Sequence, residues 1–207
     1  MEASGLQEIS NPAGLFLEER SNDASGSVVC ACLEGNRPIL VEVQALVAKT
    51  PYGMPRRTAV GFDYNRVTML LAILERRLGM DFGAYDAYVN VVGGMRVTEP
   101  AADLAVAAAL VSSYRNRPIP HGVLVMGEVG LTGEVRRIGS PERRIKDAMN
   151  LGFKRFVLPM GKLSLDEPCN GSCAGKAFGR ALDKVLLKER RFSALFVYFK
   201  IKSENLI

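Results

Sequence analysis

The stretch Gly93–Tyr114, "GGMRVTEPAADLAVAAALVSSY", decides the fold. Two glycines end an alternating segment, "DAYVNVV" (86–92), and past Pro100 comes a run of small apolar residues at helical spacing. Leu104, Ala107, Ala108 and Val111 fall on one stripe, and side chains this small let a helix lie close against a sheet. Strand, glycine break and helix make a corner of the kind on which enzymes mount a nucleophile. Yet the corner holds Glu99, Pro100, Ala101, Ala102 and Asp103, with no Ser, Thr or Cys.

Upstream of the corner, "GSVVCACLEG" (26–35) and "RPILVEVQALVAKT" (37–50) alternate with period two around a turn at Glu34–Arg37, a hairpin signal. Ile39, Val41, Val43, Ala45 and Val47 share one face of the second strand, and Glu42 and Gln44 the other. "TPYGMPRR" (50–57) is a loop ending in a basic pair, and "TAVGFD" (58–63) is a short strand. Asp63 or Asn65 can cap the next helix, where Val67, Leu70, Leu71, Leu74 and Leu78 recur at helical spacing until Gly79 closes it.

Downstream, "HGVLVMGEVGL" (121–131) reads as one strand and "GEVRRIG" (133–139) as a further short one. Ser140-Pro141-Glu142 is a helix start, with a cap, a proline in the first turn and an acid at the positive end of the dipole. Ile145, Ala148 and Met149 point inward, Gly152 stops the helix, and "KRFVLPM" (154–160) is a strand. Helical crossovers between strands, added to an antiparallel hairpin, give an α+β class with a mixed sheet and packed helices. Beyond Met160 the pattern weakens into a loop, a basic amphipathic stretch at 179–191 and an aromatic tail.

The chain has 207 residues, 48% of them hydrophobic and 24% charged, the balance of a globular protein and a length for one well-buried domain plus appendages, or two small domains at most. No window approaches the roughly 18 apolar residues that a membrane span needs. "MEASGLQEIS" lacks the basic and apolar regions of a secretory signal, so the expected location is cytoplasmic and no membrane partner is expected. The four cysteines form two close pairs, Cys30/Cys32 and Cys169/Cys173. A four-thiolate zinc site is one reading. A C-x-C pair on an alternating strand lacks the turn of a zinc knuckle, so buried free thiols and no metal are expected.

Net charge is +5, and Val135–Arg155 carries seven basic residues against Glu142 and Asp147. A basic surface suits a polyanionic partner. "GSCAGKA" (171–177) has three residues between its glycines where a phosphate loop has four, and Ala177 stands where a Mg²⁺-binding hydroxyl belongs. The single histidine, His121, lies in the "RPIPHG" turn and reads as a surface residue. Ser112 and Ser113 come late in their helix, and Ser140 serves as a cap. Nothing proposes itself as a nucleophile.

The motifs "GG-x4-EPAADLA-x-AAAL-x-SS", "GEVGLTGEVRRIG" and "IKDAMNLGFKRFVLP", with "RPILVEVQALV", "TPYGMPRR" and "GFDYNRVTMLLAILERR" upstream, resemble the Lon-protease-like domain at the C-terminus of bacterial RadA/Sms DNA-repair proteins. The likeness runs from about Leu15 to Pro159. It implies a Lon-protease-like (ribosomal protein S5 domain 2-like) fold over 15–160, with 1–14 as a linker from a missing ATPase module and 161–207 as a C-terminal extension. The family's zinc finger, Walker A loop and Lys-Asn-Arg-Phe-Gly motif are not in this sequence, so no cofactor is expected here; the family's ATPase module would bind ATP and Mg.

In Lon proteases a serine follows the corner proline, and its lysine partner lies on the helix after "GEV…IG". The matching positions are Ala101 and Glu142, so the resemblance implies a peptidase scaffold without its dyad. Asp103 also replaces a small glycine of the protease motif. The resemblance further implies a homohexameric ring, branch migration driven by the family's ATPase, and work alongside the RecA recombinase. For this domain, ring assembly and sequence-independent DNA contact remain. The candidates are Arg56 and Arg57 on the loop, Arg136 and Arg137 on the hairpin, and Arg143, Arg144 and Lys146 on the helix. No aromatic platform is interleaved among them, which argues against base stacking. A competing use for Arg66 or Arg137 is pairing with Asp63, Glu75 or Glu128 across subunit seams. Residual peptidase activity and a purely structural ring-former are the alternatives.

Overall fold

β1 (Ser27–Glu34) and β2 (Arg37–Lys49) pair antiparallel from Ser27↔Gln44 to Glu34↔Arg37, the hairpin that the alternation predicts. The computed structural model describes residues 24–51 and 53–159; the readings for 1–23 and 160–207, including Cys169, Cys173 and "GSCAGKA", lie outside them. β3 (Arg57–Val60) leads into helix α1 (Tyr64–Leu78), which returns the chain to β4 (Tyr85–Val91), parallel to β3 and antiparallel to β2. The corner follows, then helix α2 (Asp103–Tyr114) and β5 (Val123–Val125), which lies parallel to β1. A small hairpin of β6 (Glu128–Val129) and β7 (Val135–Arg136) precedes helix α3 (Pro141–Asn150), and β8 (Arg155–Val157) closes the sheet beside β5.

The main sheet therefore runs β3-β4-β2-β1-β5-β8, and only β2 opposes the others. This is the mixed sheet expected for the α+β class. One face, through Val28, Cys30, Val41, Val43 and Val89, packs on α1 and α2. Over β1, β5 and β8 the opposite face carries a second core, where Val29, Ala31, Leu124 and Phe156 meet Ile145 and Ala148 of α3. Farther from α3 that face opens to solvent, where Leu46 of β2 is 60% and Val60 of β3 53% exposed.

Local chemistry accounts for the helix ends. The Asp63 carboxylate accepts from the Arg66 amide at 2.8 Å, capping α1, and Gly79 ends it with φ 65°. α3 begins at Pro141 as read, but Ser140 adopts the left-handed conformation at φ 51° and its hydroxyl makes no cap bond. The expected cap at Ser140 is thus corrected: a left-handed backbone turns the side chain away from the first amides.

Two expectations change in the interior. α2 is not a helix with one apolar stripe, because all of Asp103–Ser112 is buried. And "HGVLVMGEVGL" is two strands, broken at Gly127. There the backbone touches the corner: the Gly127 amide donates to the Ala101 carbonyl at 2.8 Å, and the Leu104 amide donates to Gly127 at 3.0 Å. A Cβ on Gly127 would lie 2.7 Å from Val135 and 3.3 Å from Leu104. Among the described residues no helix is long and apolar enough to cross a membrane.

Asp103, fully buried at the start of α2, ties these parts together. Its carboxylate takes two hydrogen bonds from the Arg66 guanidinium, Nε at 2.8 Å, and one from the Val129 amide at 3.0 Å. Arg66 also donates to the Val129 carbonyl at 2.7 Å, so α1, α2 and β6 meet at one ion pair. Burial pushes the Asp103 carboxyl above its ordinary range against the pull of Arg66 and Val129, while the bond to Asp103 raises the Arg66 guanidinium further. Removing one partner leaves a charge without compensation. Arg66→Ala is expected to lower stability by about 3–5 kcal/mol, whereas Arg76→Ala, at an exposed α1 position, stays within about 0.5 kcal/mol of wild type. Urea unfolding followed by circular dichroism checks both.

Candidate functional site

The corner between β4 and α2 is closed. Gly93 (φ 82°) and Gly94 (φ 70°) follow β4 in left-handed conformations, and residues 95–99, extended at Met95 and Glu99, lead without regular structure to a 3₁₀ turn at Pro100–Ala102. Gly61 brings this segment in: its carbonyl accepts from the Val97 amide at 2.7 Å, and a Cβ there would lie 2.5 Å from the Met95 carbonyl oxygen. Ala101 is 3% exposed, with its carbonyl bound to the Gly127 amide. A hydroxyl at this position would lie beneath the surface. Glu142 stands half-buried in the first turn of α3.

Glu99 lies just before the turn and binds Arg144 of α3. The guanidinium donates two bonds to the Glu99 carboxylate, Nη1 at 2.9 Å, and others to the carbonyls of Ala31 at 2.6 Å and Gly139 at 2.8 Å. The Leu33 amide donates to the same carboxylate at 2.8 Å. Arg144 has no exposed surface. Its expected place among DNA-facing residues is therefore corrected: it is an internal anchor between α3, β1 and the corner. One signal in the sequence pointed this way, since Arg144 adjoins Ile145 and precedes Ala148 by four positions, on the inward face of α3.

The other basic candidates divide. Arg143 and Lys146 project from the outer face of α3, are exposed, and form no ion pair among the described residues. Arg136, with a side chain 59% exposed, is paired to Glu134 at 2.6 Å and lies 3.7 Å from Glu128. Arg137 is exposed beside it on the same hairpin. Arg56 is exposed on its loop, its amide held at 2.8 Å by Asp86. Arg57 is half-buried and turned inward, donating to the carbonyls of Tyr85 and, at 2.6 Å, Phe82. Arg56, Arg136, Arg137, Arg143 and Lys146 are thus open to solvent, while Arg57 and Arg144 are committed to the interior. Arg66 is committed as well, to Asp103 of its own chain.

Hydrogen bonds from Thr132, then from the Glu134 amide and Arg136, lower the Glu134 carboxyl to about 2. Cys30 and Cys32 are free and buried. Among the described residues no group of three His, Cys, Asp or Glu is placed to hold a metal ion. His121 is an exposed turn residue whose carbonyl accepts from Arg155 at 2.8 Å.

Fold and site define an α+β domain whose corner is filled by alanine and braced by two arginine–carboxylate pairs. Residues 44–162, more than half of the chain, match the sequence family described as subunit ChlI of Mg-chelatase, and the chain belongs to that family. Its homologues include proteins named DNA repair protein RadA. That of Halalkalibacterium halodurans is 52% identical over 160 residues, 77% of this chain and 35% of the relative. That of Bacillus subtilis is 50% identical over 163 residues, 79% and 36% of the two chains. That of Pseudomonas aeruginosa is 50% identical over 168 residues, 81% and 37%. The chain spans about a third of the length of these relatives.

Two measurements test this geometry. Arg144→Ala is expected to cost about 3–5 kcal/mol, because it leaves Glu99 and two carbonyls without their donor, while Arg143→Ala is near neutral in the same unfolding assay. Glu134 has a depressed folded value, so its contribution is present above the ordinary glutamate pKa and fades as pH falls through about 2. Carbon-detected NMR titration should place its midpoint near 2 in the wild type. In a Thr132→Ala, Arg136→Ala variant the midpoint should move up toward about 4.3.

Proposed function

We propose that the chain is a non-catalytic, Lon-protease-like domain from the C-terminal part of a RadA/Sms-type DNA repair and recombination protein, and that it binds DNA without regard to sequence. The observation that carries this reading is the likeness, near 50% identity over some 160 residues, to proteins named DNA repair protein RadA. Two structural features support its parts. The buried alanine at position 101 argues against peptidase chemistry, and an acid at 142 cannot act as an amine base. The exposed cations of α3 and the β6–β7 hairpin suit a phosphate backbone. Contacts of that kind act through charge and counterion release and carry no sequence information.

In the intact protein this domain contributes to a hexameric ring, and an ATPase module using ATP and Mg drives branch migration beside RecA. The exposed apolar side chains of Leu46 and Val60 on the sheet face favour a second reading, a structural ring-former with no affinity for DNA.

Fluorescence anisotropy with a short labelled duplex tests the main proposal. Affinity is expected to fall by at least about tenfold between roughly 50 and 200 mM salt. Changing Arg143 and Lys146 together to Glu should weaken binding alike for unrelated sequences and reduce the salt slope by about 2. A flat salt response retires the electrostatic reading, and light scattering then tells a ring-former from a monomer. Ala101→Ser with Glu142→Lys is expected to cleave neither casein nor fluorogenic peptides. Cleavage by that variant would reopen the catalytic alternative.

A further inference from the structure

Cys30 and Cys32 project from the same face of β1 with their sulfurs 3.6 Å apart. Cys30 has no exposed surface, whereas Cys32 is one wall of a cavity of about 350 Å³ open to solvent. Leu33, Ile39, Met95, Val97 and Glu99 form other parts of its lining. Between the two cysteines lies Ala31, whose carbonyl is the 2.6 Å acceptor for the buried Arg144. A thiol pair, a path for a small oxidant and the anchor of α3 therefore meet within three residues of one strand.

We propose that Cys30 and Cys32 are a reversible redox pair, oxidised by a peroxide entering this cavity, and that their disulfide loosens the hold of Arg144 on α3. The Cys32 thiol gives up its proton and its sulfur attacks one peroxide oxygen; the O–O bond breaks, Cys32 becomes a sulfenic acid, and the departing hydroxide takes that proton and leaves as water. The Cys30 sulfur then attacks the Cys32 sulfur, the S–O bond breaks, and the departing hydroxide takes the Cys30 proton. Two thiols lose two electrons, and one hydrogen peroxide becomes two waters. The sequence of attack follows from the surroundings. Its contact with Cys32, together with burial, holds the Cys30 thiol well above its ordinary value, which makes it the resolving partner.

The strand makes the event mechanical. Cα atoms two residues apart in a strand are about 6.6 Å apart, close to the upper limit of about 6.8 Å for a disulfide. Closing the bridge draws the strand in at Ala31 and displaces the carbonyl that Arg144 grips. A bridge under such strain is readily reduced, as regulatory disulfides are.

The test uses the full chain treated with hydrogen peroxide. Trypsin releases residues 21–49 as one peptide, because the Arg37–Pro38 bond resists it, and Cys169 and Cys173 fall on another. The 21–49 peptide should lose two hydrogens and regain them with dithiothreitol. A Cys30→Ser variant should instead give a dimedone adduct on Cys32. Hydrogen exchange of α3 amides should quicken about tenfold on oxidation, as for loss of one hydrogen bond to a charged group, and stay unchanged in Cys32→Ser. Failure of the 21–49 peptide to oxidise until denaturant is added overturns the redox pair. Oxidation without faster exchange overturns its link to Arg144. Any accompanying loss of DNA affinity rests on the function proposed above. That reading fails separately, if the reduced chain does not bind DNA.

Discussion

Two carboxylates four positions apart, Glu99 and Asp103, bracket the turn at Pro100–Ala102, and each is gripped by an arginine from a different helix. Arg66 of α1 holds Asp103, and Arg144 of α3 holds Glu99, from opposite faces of the main sheet. An ion taken out of water carries a desolvation cost of several kcal/mol, and only close, fully hydrogen-bonded pairing offsets it. Both sites meet that condition, since main-chain groups of Val129, Leu33, Ala31 and Gly139 complete the shells. The corner is therefore locked to both helical layers, and neither layer can shift without exposing a charge to an apolar interior.

This arrangement leaves the corner with little freedom. The Gly127 main chain is bonded to both Ala101 and Leu104, and the buried Asp103 works as a structural anchor. The polar residues of the corner are thus the ones that brace it.

Much of the architecture was legible in the sequence because local rules and tertiary packing agree there. The β1–β2 alternation, the Asp63 cap, the Gly79 stop and the proline at the start of α3 each encode a feature within a few residues. What was not legible depends on distant partners. α2 looked like a helix with one apolar stripe, but Ala, Val and Leu at nearly every position leave the number of covering layers open. Arg144 reads as one of a basic series with Arg143 and Lys146, and the partner that lets its charge lie on the inward face, Glu99, is 45 residues upstream. Gly127 sat in a run that reads as a single strand, because the contact breaking it comes from Ala101. The outward placement of Arg143 and Lys146 did follow from helical spacing, as the inward face of α3 is the apolar one.

The burial of α2 on every side has a consequence for how the chain comes into being. Ten consecutive residues, Asp103–Ser112, are covered from several directions, and part of that cover comes from β5 and β6, which are synthesised later. On the ribosome the segment emerges before those strands exist, as an adhesive, nearly uncharged stretch with one acid. Its sequestration must wait for the downstream half of the sheet, so the nascent domain passes through an interval in which chaperone capture or aggregation competes with completion of the core.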